Sequence, residues 1–188
     1  MFFARFFALF FLFTSFGIVS SVPSSAAAVK KRQDTADVEI VLNTLKNSTD
    51  TILPQITSVG QSGIASDATV TPLINELTTA LNTASSSLAS LQTSSRKARR
   101  QSDDDIANIV AGIITDIADA LDTLVGDLSA IPDLGSLFDG VDSALDEVLT
   151  GLETLLAGVL TLVADLLVDV AGLLESLSLG LTLASLGL

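Results

Sequence analysis

From residue 101 to residue 188 the chain carries 16 acidic residues and 22 leucines, with not one lysine or arginine. That pattern constrains the fold more than any other. Carboxylates without cations repel one another and stay at the surface, so the leucines must find each other, another part of the chain or an apolar phase. The chain has no His, Cys, Trp or Tyr, and a single Met at position 1. Nucleophilic triads therefore lack their usual base, and zinc, haem and iron–sulfur sites lack their usual ligands. No cofactor, metal or catalytic residue is expected. Paired carboxylates for glycoside hydrolysis are abundant, but the aromatic platforms that hold sugars are missing, Phe138 being the one aromatic residue past position 16.

The first residues read as a secretion signal, with Arg5 ahead of an apolar run and Ala26-Ala27-Ala28 as a cleavage region. Lys30, Lys31 and Arg32 follow and predict dibasic processing that leaves Gln33 as the mature N-terminus. The expected division is a signal peptide at 1–28, a junction at 29–32, a polar helical segment at 33–95, a basic linker at 96–100 and an acidic Leu-rich helical domain at 101–188. Arg99 and Arg100 in the linker repeat the first junction and predict a second cut. Past residue 32, 22 acidic residues face five basic ones, a balance that repels phosphate backbones and argues against nucleic-acid binding.

In residues 33–95, 29 of 63 side chains are Ser, Thr, Asn or Gln. Val38, Leu42, Leu45, Thr49, Ile52, Ile56 and Val59 recur at steps of four and three, as do Ile74, Leu77, Leu81, Ala84, Leu88 and Leu91. This spacing predicts two amphipathic helices joined at Gly60-Gln61-Ser62-Gly63, the second starting from Thr71 as N-cap with Pro72 in its first turn. Pro54 should kink the first helix. Asn47-Ser48-Thr49 is an N-glycosylation sequon, and Asn47 falls off the apolar seam. So narrow a hairpin needs the second half, or another copy, for stability.

Asp103-Asp104-Asp105 suits the positive end of a third helix, whose apolar face runs from Ile106 to Leu128 and which ends at residues 131–135. Past Val141 the leucines and valines cover nearly the whole circumference and predict a further long, apolar helix that is buried, self-associated or laid on a nonpolar phase. Leu166, Leu173 and Leu174 are candidates for that contact. The motif Ala111-Gly112 recurs as Ala157-Gly158 and Ala171-Gly172, which predicts close helix packing at those glycines. The expected fold is all-α: a polar two-helix hairpin followed by two or three long, strongly apolar helices. No charge-free stretch of the second half is long enough to span a bilayer.

The signal peptide, the Lys30-Lys31-Arg32 junction, the Ser/Thr-rich half, the Arg99-Arg100-Gln101 seam and the cysteine-free hydrophobic half together resemble a group of small secreted proteins of mushroom-forming fungi. Residues 75–81 and 181–188 carry the same likeness. The resemblance implies a structural role beside hydrophobins in aerial growth and attachment, and no catalytic residues. The hairpin is also similar to fungal proteins that bind hydrophobic surfaces. Hydrophobins themselves are excluded by the absence of cysteine. The function expected is that of a secreted amphiphile at the cell wall, coating or linking hydrophobic surfaces. Its expected partners are those surfaces, cell-wall components, further copies of itself and hydrophobins. The rival expectation is a secreted helical carrier of a lipid or sterol.

Overall fold

The computed structural model describes residues 25–94, 103–127 and 131–188, and side chains from residue 37 onward apart from 93 and 94. Most of the leader, the basic linker at 96–100 and Leu128 lie outside the described residues. All regular structure in the described part is helical: α1 Ser25–Ser62, α2 Asp67–Ser94, α3 Asp103–Val125, α4 Leu134–Leu155, α5 Val159–Leu167, α6 Ala171–Ser176 and α7 Gly180–Leu186.

The hairpin forms on its predicted seam. Val38, Leu42, Leu45, Thr49, Ile52 and Ile56 of α1 are buried, as are Ile74, Leu77, Leu81, Ala84 and Leu88 of α2. Thr49 is accommodated because its hydroxyl donates to the Lys46 carbonyl at 2.9 Å. The backbone of the 30–32 junction lies within α1, and two local expectations are corrected. Gly60 belongs to α1 and not to the turn, which is made by Gly63 at φ +64°. α2 begins at Asp67, four residues before Thr71, because Ser66 and Thr69 cap it. The Ser66 N–H donates to the Thr69 hydroxyl at 3.0 Å, and the Ser66 carbonyl accepts from the Val70 N–H at 2.9 Å. Pro72 then sits one turn in, exposed, where it forfeits one helical bond.

α3 and α4 pack on the hairpin more than on each other. α3 lies along α1 and α4 along α2, and α5 bridges α3 and α4. Lys46 and Gly60 of α1 meet Asp116 and Thr123 of α3 in the same order, so these helices run parallel. Ser85 and Gln92 of α2 likewise meet Glu147 and Gly151 of α4. The result is an up-down-up-down arrangement in which both halves of the chain contribute to one aliphatic core, Phe138 being its single aromatic side chain among the described residues. The hairpin does not bury its seam alone, in keeping with its narrowness.

The expectation of long, strongly apolar helices is corrected. α3 and α4 are amphipathic, with Asp116, Asp119 and Asp122 on the exposed side of α3 and Asp139 and Glu147 on that of α4. After α4 the chain breaks three times, giving helices of nine, six and seven residues. The first break turns at Gly158, φ +92°, a backbone conformation that glycine adopts without strain. Glu153 reaches across it and accepts from the Gly158 N–H at 3.0 Å, starting α5 with a carboxylate. By turning back, the segment buries Val159, Val163, Leu167, Leu174, Leu177 and Leu179.

The repeated glycines do not perform the packing role expected of them. Nothing lies within 4 Å of a Cβ built on Gly112 or Gly172, and Gly158 is a turn. The close approach falls instead at Gly60, where a Cβ would stand 2.5 Å from Thr123 Oγ1 and 2.7 Å from its carbonyl oxygen.

Candidate surface-contact face

With the core closed, the question is which apolar side chains remain outside. Among the described residues the exposed large ones are Ile40, Ile64, Leu166, Val168, Leu181 and Leu188. Four of the six fall within residues 166–188, on and beside α5 and α7, which touch each other. Leu160, Leu162, Leu173 and Leu183 of the same region are partly buried against the core. Of the three leucines expected to make surface contact, Leu166 is 47% exposed and Leu173 is partly buried, while Leu174 is fully buried. Leu174 is thus a core residue, and its place in the contact set is corrected. Val168, 61% exposed, and Leu181, 50% exposed, were missed. No sequence signal separates them from their buried neighbours, because a continuous Leu/Val pattern gives no inside or outside until the breaks are known.

The polar contacts that hold this region are carboxylates of α4. Asp142 is buried, and its two oxygens accept from the Leu181 and Thr182 N–H groups, each at 2.8 Å. Ser185 bonds Asp146 one turn further along both helices. α4 therefore caps the first turn of α7 from about forty residues away in the chain.

Elsewhere, apart from Ile40 and Ile64, the described surface is largely acidic or hydroxylic. Lys46 is the one basic residue between the two basic clusters of the sequence. Its ammonium lies 3.2 Å from Asp50 and 3.6 Å from Asp116, joining α1 to α3. The hydrogen bond to Asp50 raises its pKa above the ordinary lysine value; burial opposes the rise, and the charges of Asp50 and Asp116 add to it. Asp50, Leu53 and Pro54 of α1 and Asp116, Ala120 and Thr123 of α3 border an open groove of ≈ 940 Å³ with a mixed lining. Asn47 is exposed on α1 and free of the helix seam. The hydroxyls of Thr79, Thr83 and Ser87 each donate to the carbonyl four residues back, forming a row along α2.

At the bundle centre, Leu42 and Leu45, Val110 and Ile114, and Leu145 and Leu149 surround an apolar gap of ≈ 10 Å³. That is no larger than a water requires. Among the described residues no group of three or more acidic side chains could hold a metal ion, and no helix is long and apolar enough to cross a membrane.

No protein-family model matches the chain. Over 75 residues it is 51% identical to fruiting body differentiation protein 16 of Flammulina velutipes, a stretch that covers 39% of this chain and 59% of that protein. The match thus spans about three-fifths of the relative's length.

Proposed function

We propose that this is a secreted, amphiphilic structural protein of fungal fruiting-body tissue, which coats or links hydrophobic surfaces at the cell wall. The observation that carries the reading is that four of the six exposed large apolar side chains, Leu166, Val168, Leu181 and Leu188, fall on and beside α5 and α7, on a molecule whose remaining surface, Ile40 and Ile64 apart, is largely acidic and hydroxyl-rich. Each leucine transferred fully from water contributes about 1.5–3 kcal/mol, so a few suffice for adsorption even with the exposed Asp165 and Asp169 beside Leu166 and Val168. The relative's name supports a developmental, fungal setting. Processing after Arg32 and Arg100, a glycan on Asn47 and hydrophobins as neighbours belong to the same proposal. A lipid or sterol carrier fits less well, because the central gap of ≈ 10 Å³ would have to open by parting the helices.

The test is retention of the secreted chain on a hydrophobic solid after washing. The triple substitution Leu166→Ser, Val168→Ser, Leu181→Ser should release it while far-UV circular dichroism remains helical. Ile40→Ser with Ile64→Ser, on the hairpin, should leave retention nearly unchanged. Equal loss from both variants would remove α5–α7 as the contact face, and no retention of the unsubstituted chain would sink the reading itself.

A further inference from the structure

Three irregularities converge where α7 meets α4. Among the described residues, Asp142 is the one buried charged side chain, and residues 101–188 contain no cation to balance it. Thr182 Oγ1 is, among the described residues, the one buried side-chain polar atom without a hydrogen-bond partner. Ser178, at φ +61°, is among the described residues the one other than glycine in a left-handed conformation. Each is a cost of keeping α7 docked, and each disappears when α7 leaves.

The cause is a mismatch of period. Leu177, Leu179, Leu181 and Leu183 alternate with Ser178, Gly180 and Thr182. A repeat of two suits a strand, which would put four leucines on one face and the small polar residues on the other. Wound at 3.6 residues per turn, the same segment turns Leu181 outward to 50% exposure and Thr182 inward to full burial. Local pattern and adopted structure disagree at this element.

We propose that at an apolar–water interface residues 177–183 leave the bundle, become an extended strand, and pair edge to edge with the same segment of a second copy of this chain. The proposal rests on the surface-coating reading and supplies its mode of assembly. The leucine face lies on the apolar phase, and the backbone, no longer bonded within a helix, finds partners in the neighbouring strand. A second copy is the fitting occupant on grounds of charge. Residues 176–188 form a charge-free, proline-free stretch in a half with 16 acidic residues, so copies meet there without opposed carboxylates. Undocking also uncovers Leu179, Leu186 and the α4 surface beneath α7, adding apolar area to the contact.

The experiment uses the full secreted chain, with hydrogen exchange in solution and infrared spectra of the layer adsorbed on polystyrene. Amides of 181–186 should exchange at least about tenfold faster than those of α4, as expected of a low-stability element. The adsorbed layer should gain the amide I band of extended strands. Gly180→Pro separates the two states: at the first position of α7 proline gives up the bond from the Gly180 N–H to the Ser178 carbonyl but fits the start of a helix, whereas in a strand it interrupts the ladder. This variant should be retained like the unsubstituted chain, with the strand band reduced at least about tenfold. Asp142→Asn, which removes one of the two acceptors, should bring the band up at lower coverage. An adsorbed layer that stays wholly helical, an undiminished band in Gly180→Pro, or α7 exchange as slow as that of α4 would overturn the proposal and leave the surface reading standing. Failure of the unsubstituted chain to adsorb would take both down.

Discussion

Single residues set the geometry between the two halves of the chain. Gly60 lets α1 approach Thr123 of α3, and Gly60→Ala would drive its methyl to 2.5 Å from Oγ1 and 2.7 Å from the carbonyl oxygen. The hydroxyl can rotate away, but the carbonyl cannot. Alanine gains about 1 kcal/mol in helix propensity, and the forced separation costs roughly 1–3 kcal/mol, so a net loss is expected in urea unfolding. Lys46 acts at the same interface through charge. Its raised pKa means that folding favours the protonated form. The stabilisation is complete below the ordinary lysine value and disappears as pH rises through the higher folded value. Because its side chain is 41% exposed, solvent screening limits the effect to about 0.5 kcal/mol. The stability difference between the unsubstituted chain and Lys46→Met should therefore be flat from neutral pH to the lysine range and shrink above it. A constant difference across that range would assign the effect to packing of the lysine stem.

At the scale of elements, the sequence was legible wherever spacing and punctuation agreed. The four-and-three repeat placed both hairpin helices, and the acidic start and apolar face placed α3. Pro132 lies in the α3–α4 connection, as expected. The breaks after α4 were not legible, because one of them depends on Glu153 reaching forward to Gly158 and another on Asp142 capping α7 from a distant part of the chain. Such tertiary caps leave no local signature. The start of α2 was misread because proline is a stronger local signal than the Ser66–Thr69 cap that begins it. Exposure along this stretch is half legible: Leu166 is exposed as the pattern suggests, Leu174 is core, and the exposure of Val168 and Leu181 is hidden in the uniform pattern. The two aligned glycines give a test at this scale. Gly158→Ala should cost roughly 1–2 kcal/mol, since its φ of +92° strains any residue with a Cβ. Gly112→Ala, with nothing near its Cβ and a helical backbone, should gain up to about 1 kcal/mol. Equal effects would mean that the break at Gly158 does not exist in solution.

For the molecule as a whole, charge opposes contact and leucine favours it. Carboxylates as a class protonate near pH 4, and acidification removes the repulsion while leaving the apolar area unchanged. Light scattering of the full chain should therefore grow between pH 7 and pH 3, and moderate salt should reproduce part of the rise, since exposed charges are screened beyond about 10 Å at 0.1 M. Constant particle size would mean that the closed bundle, rather than its charge, keeps the chain dispersed. The interleaving of halves, α3 on α1 and α4 on α2, bears on the basic seam in another way. A protease acting there would cut the chain without dividing the core, and two peptides would then have to find each other for either to stay folded. Folding would pass from a unimolecular event to a second-order one, with a melting temperature that climbs with protein concentration and a structure that dilution alone takes apart.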